Sequence, residues 1–182
     1  MTRTAWLLVL SALPAAARAE CTSTPADCPQ HAAHVAAGAD HAARVDARGD
    51  AAMGFSHLAT VHHFLLTGEG GVIAVGATDG ADATTVAAIR SHLAGVARAF
   101  ARGDFALPEQ IHDRTPPGVP EMVRKRAAIT YRFDETPDGA RVVITTRDAK
   151  AREAIHAFLR FQIADHRTGD PTRAPAPTAA AH

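Results

Sequence analysis

One order of hydrophobic patterns occurs twice in this chain, and that repetition limits its possible folds more than any other feature. Thr60-Val61-His62-His63-Phe64-Leu65-Leu66 reads as a strand, Thr67-Gly68-Glu69-Gly70-Gly71 as a turn and Val72-Ile73-Ala74-Val75 as the returning strand. Asp79-Gly80-Ala81-Asp82 offers caps for a helix. Its apolar positions Val86, Ile89, Leu93, Val96 and Phe100 keep the 3.6-residue period until Gly103 stops it. The order then returns. A strand over 128–133, a turn at Pro137-Asp138-Gly139 and a strand at Val142-Val143-Ile144 precede Asp148, which opens a helix carrying Ile155, Phe158, Leu159 and Ile163. An offset of 66 lays Ile89 on Ile155, and one of 67 lays Val75 on Val142.

A lone hairpin is marginal in water and each helix has a single apolar stripe, so the two units must share a core. The expected fold is α+β: a duplicated β-β-α unit over residues 51–171, forming a four-stranded antiparallel sheet with two helices on one face. The second face is then open to water, a ligand or a partner. His62 and His63 are strand neighbours and point to opposite faces, so one of them reaches that open side.

The flanks read differently. Arg3 followed by Ala5-Trp6-Leu7-Leu8-Val9-Leu10 and then Ala17-Arg18-Ala19 has the form of a signal peptide over 1–19, cleaved near Ala19-Glu20. The protein is therefore expected in the periplasm or secreted. After residue 20 no apolar run approaches the roughly 20 residues of a membrane helix. Residues 20–50 read as a polar, Ala-rich mobile arm carrying Cys21, Cys28, His31, His34 and His41. In an oxidising compartment a Cys21–Cys28 disulfide competes with metal ligation by the same thiols and imidazoles. The Pro/Ala-rich stretch 172–182 reads as a disordered tail. With 182 residues, 47% of them apolar, the chain fills one domain plus such tails. Nineteen basic residues balance nineteen acidic ones, which argues against a nucleic-acid partner.

What the two units do not share holds the candidate chemistry. Residues 51–58 contain Met53 and His57. The linker 105–126 contains Ile111-His112-Asp113-Arg114-Thr115-Pro116-Pro117-Gly118-Val119-Pro120-Glu121-Met122, whose prolines discourage helix and stiffen a loop. Met53, His57, His62, His63, His112 and Met122 make a set of nitrogen and sulfur donors, with Asp113 as the carboxylate that orients His112. The arm's Cys21, Cys28, His31 and His34 are a weaker set. Imidazole with thioether suits copper, or the axial positions of haem. No C-x-x-C-H occurs, so covalent haem attachment is not expected. His92 and His156 flank helix stripes and read as structural, while His166 and Arg167 read as cations at a helix C-terminus.

The blocks Cys28-Pro29-x-His31, Ala52-Met53-Gly54-Phe55, His62-His63-Phe64, His112-Asp113-x-Thr115-Pro116-Pro117-Gly118-Val119 and the run from Phe158 to Pro171 resemble a family of small exported bacterial proteins of unsettled activity. The resemblance covers residues 28–171 and implies a shared fold and an exported location. Some of its members carry the label aspartate carbamoyltransferase. The residues here do not support that chemistry, since the Ser-Thr-Arg-Thr-Arg phosphate loop of that enzyme is absent. Gln30 stands where the family has Met after Cys-Pro.

The reading that follows is an exported, non-enzymatic metal- or haem-binding protein, with copper favoured among metals. An interaction module using the open sheet face for a second copy or a periplasmic partner is the alternative. A small hydrolase or transferase is the third, with His112-Asp113 as base but no nucleophile motif such as G-x-S-x-G beside it.

Overall fold

A computed structural model describes residues 29–78 and 82–176 of the chain. Residues 1–37 and 38–182 form two units, each taken by itself. The signal peptide, Cys21, Cys28 and the Asp79-Gly80-Ala81 part of the helix cap lie outside the described residues.

The chain runs α1 (Pro29–Met53), β1 (Thr60–Thr67), β2 (Gly70–Ala77), α2 (Ala83–Ala101), α3 (Ala106–His112), α4 (Val119–Arg124), β3 (Ile129–Thr136), β4 (Gly139–Thr146) and α5 (Ala149–Asp165). The four strands form one antiparallel sheet in the order β1-β2-β4-β3. Each hairpin closes through a two-residue loop, Thr67 pairing with Gly70 and Thr136 with Gly139. Each following helix starts at an aspartate whose carboxylate accepts from the backbone three residues on, Asp82 from Thr85 and Asp148 from Ala151. Matched turn to turn, the two hairpins lie 69 residues apart rather than 67 (Thr67 against Thr136, Gly70 against Gly139). The helix caps keep the spacing of 66 (Asp82 against Asp148).

The core lies between the sheet and α2 with α5. Ile73, Val75, Val142 and Ile144 face Ile89, Leu93, Phe100, Ile155, Phe158 and Leu159, all buried. Gly71 lets α5 settle here, because a Cβ at that position would meet Leu159 Cδ1 at 2.1 Å. The opposite sheet face stays open and exposes Val61 and Leu65. No helix among the described residues is long and apolar enough to cross a membrane.

Three expectations change. The arm over 20–50 is not wholly mobile: from Pro29 it is α1, and its second half is docked. Val45 is fully buried, Arg48 Nε donates to the Ile111 carbonyl at 2.7 Å, and Arg167 binds both carboxylate oxygens of Asp46. Alanine's helix propensity shaped that segment more than its polarity did. The Pro-rich linker contains two helices, α3 and α4, because Pro108 and Pro120 fall in first turns, where an amide N–H has no helical partner to lose. The described part of the tail, residues 172–176, is held against the fold, while residues 177–182 lie outside the described residues. Ala174 packs against the core and Arg160 Nε donates to the Thr172 carbonyl at 2.8 Å.

Gly118 starts α4 at φ +88°, and a Cβ there would meet the Ala154 carbonyl oxygen at 2.1 Å. Gly118→Ala combines left-handed strain with a backbone clash, so it should cost about 3 kcal/mol or more. Thermal unfolding checks this, with an expected fall in Tm of about 10 °C.

Candidate functional site

Strand alternation decides the first question. His62 lies on the covered face of β1 with Thr60, Phe64 and Leu66, while His63 points to the open face and bonds Asp170 Oδ1 through Nδ1 at 2.9 Å. Around His62 the helix ends converge. Met53 ends α1, His92 comes from α2, His112 is the last residue of α3, and His166 caps α5. Together with Gln162 they line an inner chamber of about 60 Å³, otherwise walled by apolar side chains including Phe64, Leu93, Phe100 and Phe158. Met53, His62 and His166 also line a larger outer chamber of about 220 Å³, whose polar wall holds Asp46, His57, Thr60, Arg167 and Thr168. These three side chains therefore form the wall between a polar chamber and an apolar one.

The rings of His62 and His166 are parallel within 4°, with centres 6.1 Å apart, and His112 meets His166 edge-on at 5.0 Å. Phe55 lies against both His62 and His92. The His62 Nε2 atom is buried and has no hydrogen-bond partner among the described residues. Burial pushes the His62 pKa down to about 4, helped by the neighbouring His92, His57 and His63 and opposed by Asp50. Burial likewise takes His166 to about 3, with His112 and His62 adding to the fall and Asp165 and Asp46 opposing it. Burial also lowers His92. His62, His92 and His166 are therefore held as neutral imidazole, the form that ligates metals.

His112 is the most ordered of the set. Its ring is buried; Nδ1 lies 2.5 Å from Asp165 Oδ2 and Nε2 lies 3.0 Å from Gln162 Oε1. Asp165 takes a second imidazole on its other oxygen, His41 Nε2 at 2.9 Å. Burial alone would raise the Asp165 pKa, but the bonds from His41 and His112 outweigh it and hold the carboxyl below its ordinary range. Asp113, expected to orient His112, does not do so. The chain turns left-handed there at φ 55°, which sends its carboxylate out with 87% of the side chain exposed. Asp165, 53 residues on, takes its place.

The other expected donors separate. His57 is tied to Asp50 through Nδ1 at 3.0 Å and reaches only the outer chamber. Met122 is fully buried in the core and lines neither chamber. His34 is exposed on α1. Four groups were missed or read as structural: His92, Gln162, Asp165 and His166. A signal was present for three of them, since Gln162, Asp165 and His166 have the i, i+3, i+4 spacing of one helical face. Among the described residues no group of three or more His, Cys, Asp or Glu stands together as a metal cage. The arrangement is instead two imidazoles with a thioether at their side.

Family models, curated proteins and solved structures were compared with this chain. None matches.

Proposed function

We propose that the protein is an exported binder of a soft transition-metal ion, copper(I) favoured, held by His62 and His166 with Met53 beside them. The observation that carries this is the orphaned Nε2 of His62. An unpaired buried nitrogen costs free energy, and a ligand at that atom would repay the cost. Both imidazoles are neutral, thioether sulfur selects copper(I), and apolar walls on one side keep water from the ion. His92 borders the same chamber. His112 packs against His166 and is itself held by Asp165 and Gln162, so its role is to position His166. The leader sequence and the family resemblance support the exported location.

The test is anaerobic titration of the full mature chain with copper(I) against a chromophoric chelator. One equivalent should be retained. His62→Ala and His166→Ala should each weaken binding by about 100-fold or more, and Met53→Leu by about tenfold, with the fold intact by circular dichroism. A protein that surrenders all copper(I) to a weak chelator overturns the proposal, as does unchanged affinity in the His62→Ala/His166→Ala double variant.

A second reading rests on the open sheet face, where Val61 and Leu65 are 45% and 39% exposed. If that face covers a second copy or another partner, Val61→Glu with Leu65→Lys should change the mass seen by light scattering. An unchanged monomer in both proteins removes the self-association form of this reading.

A further inference from the structure

A second cavity, on the far side of His112, has a different chemistry. It measures about 480 Å³ and is lined by His41, Arg44 and Arg48 from α1, by His112, Asp113 and Arg114 where α3 ends, and by Asp165 at the end of α5. Three guanidinium groups thus meet two carboxylates. Each carboxylate stands at ion-pair distance from one guanidinium without a hydrogen bond to it, and one guanidinium is left over. Asp165 already has one oxygen on the His41 ring and the other on the His112 ring, and its closest guanidinium atom, Arg114 Nη2, is 3.9 Å away. Asp113 is turned to solvent, 4.0 Å from Arg48 Nη1.

Two of the three guanidinium groups are also held in place. Arg48 spends its Nε on the Ile111 carbonyl, which fixes its plane across the end of α3. Arg114 lies over the Phe161 ring, 4.6 Å from its centre, a contact that uses the face of the guanidinium and leaves its N–H edge unused. Arg44 makes no hydrogen bond or ion pair among the described residues. Arg48, fixed by a carbonyl, keeps its two terminal nitrogens for a ligand, Arg114, fixed by a ring, keeps its whole N–H edge, and Arg44 stands uncommitted beside them; together they suit a ligand that accepts several hydrogen bonds at once.

We propose that this cavity binds a small oxyanion, a phosphate or a carboxylate, between Arg44, Arg48 and Arg114. The site shares only His112 with the histidine chambers and does not depend on metal binding. Isothermal titration of the full chain at low ionic strength, with inorganic phosphate in one arm and succinate in the other, tests it and separates the two ligand types. Saturable binding with Kd below about 1 mM is expected for at least one of them. Arg114→Gln and Arg44→Gln should each weaken it by about tenfold, and the pair should abolish it, with Tm unchanged. Arg141→Gln, whose guanidinium bonds Asp134 on the sheet, should bind as the native protein does. Unsaturable heats for both anions overturn the proposal. So does binding that survives the double change, or that falls equally in Arg141→Gln.

Discussion

Lowering the pH from 7.5 to 5 should reduce the Tm of the metal-free protein by about 10 °C. The cause is the neutral histidine cluster. In the unfolded chain His62 and His166 titrate near their ordinary value, 6.5; in the fold they titrate near 4 and 3. A histidine whose folded pKa is depressed stabilises the fold fully above 6.5. That contribution drains away as pH falls from 6.5 toward the folded value, because protons bind the unfolded state first. At pH 5 each of the two should have cost about 2 kcal/mol, a large part of a typical folding free energy. His92 shifts in the same direction and adds to the loss. Asp165 and Asp170 act in another window. Their depressed pKa values give stability that is present above the ordinary carboxylate range and lost only below it. Calorimetry across pH 7.5, 6 and 5 separates these windows. His62→Gln with His166→Gln should flatten the upper one. A native Tm that does not move between pH 7.5 and 5 would refute the account of the cluster.

Asp165→Asn should destabilise the protein by about 2–4 kcal/mol and loosen α1 before the rest unfolds. Asp165 holds His41 of α1 and His112 of α3 on its two oxygens. Asparagine keeps the shape but replaces one acceptor oxygen with a donor, so one ring N–H faces an N–H instead of an oxygen. Among the contacts left to hold α1 are Val45 in the core and Met53 packed against it, Arg48 on Ile111, Asp46 on Arg167 and Asp50 on His57. Hydrogen exchange should therefore quicken in residues 38–53 while β2 and β4 stay protected. Unchanged protection there would show that the His41–Asp165–His112 chain does not fasten the helix.

The main scaffold was legible because its signals are local and repeated. Period-two alternation, the turn residues of 67–71 and 137–139, which the structure narrows to two-residue loops, and the aspartate caps at Asp82 and Asp148 each act within a few residues. They specify a hairpin followed by a helix wherever they occur. Burial of two apolar stripes then needs one shared sheet. Alternation also required that one of His62 and His63 face inward, though not which.

Partnerships across the fold were not legible. His112 has a carboxylate beside it in sequence, and the expected pair was His112 with Asp113. A helix end followed by one left-handed residue aims those neighbours apart, and the partner comes from α5. Met122 looked like a thioether donor because composition cannot distinguish a ligand from core filling. His166 looked like a cap because a helix terminus stabilises a cation, yet burial keeps this one neutral. The sequence by itself determined the elements, their order and the inward-facing stripes, because those follow from backbone geometry and side-chain period. Only the tertiary structure decided which imidazoles meet, which carboxylate holds them and which stay neutral. Those outcomes depend on distance and desolvation between segments more than 50 residues apart, and no local pattern encodes either.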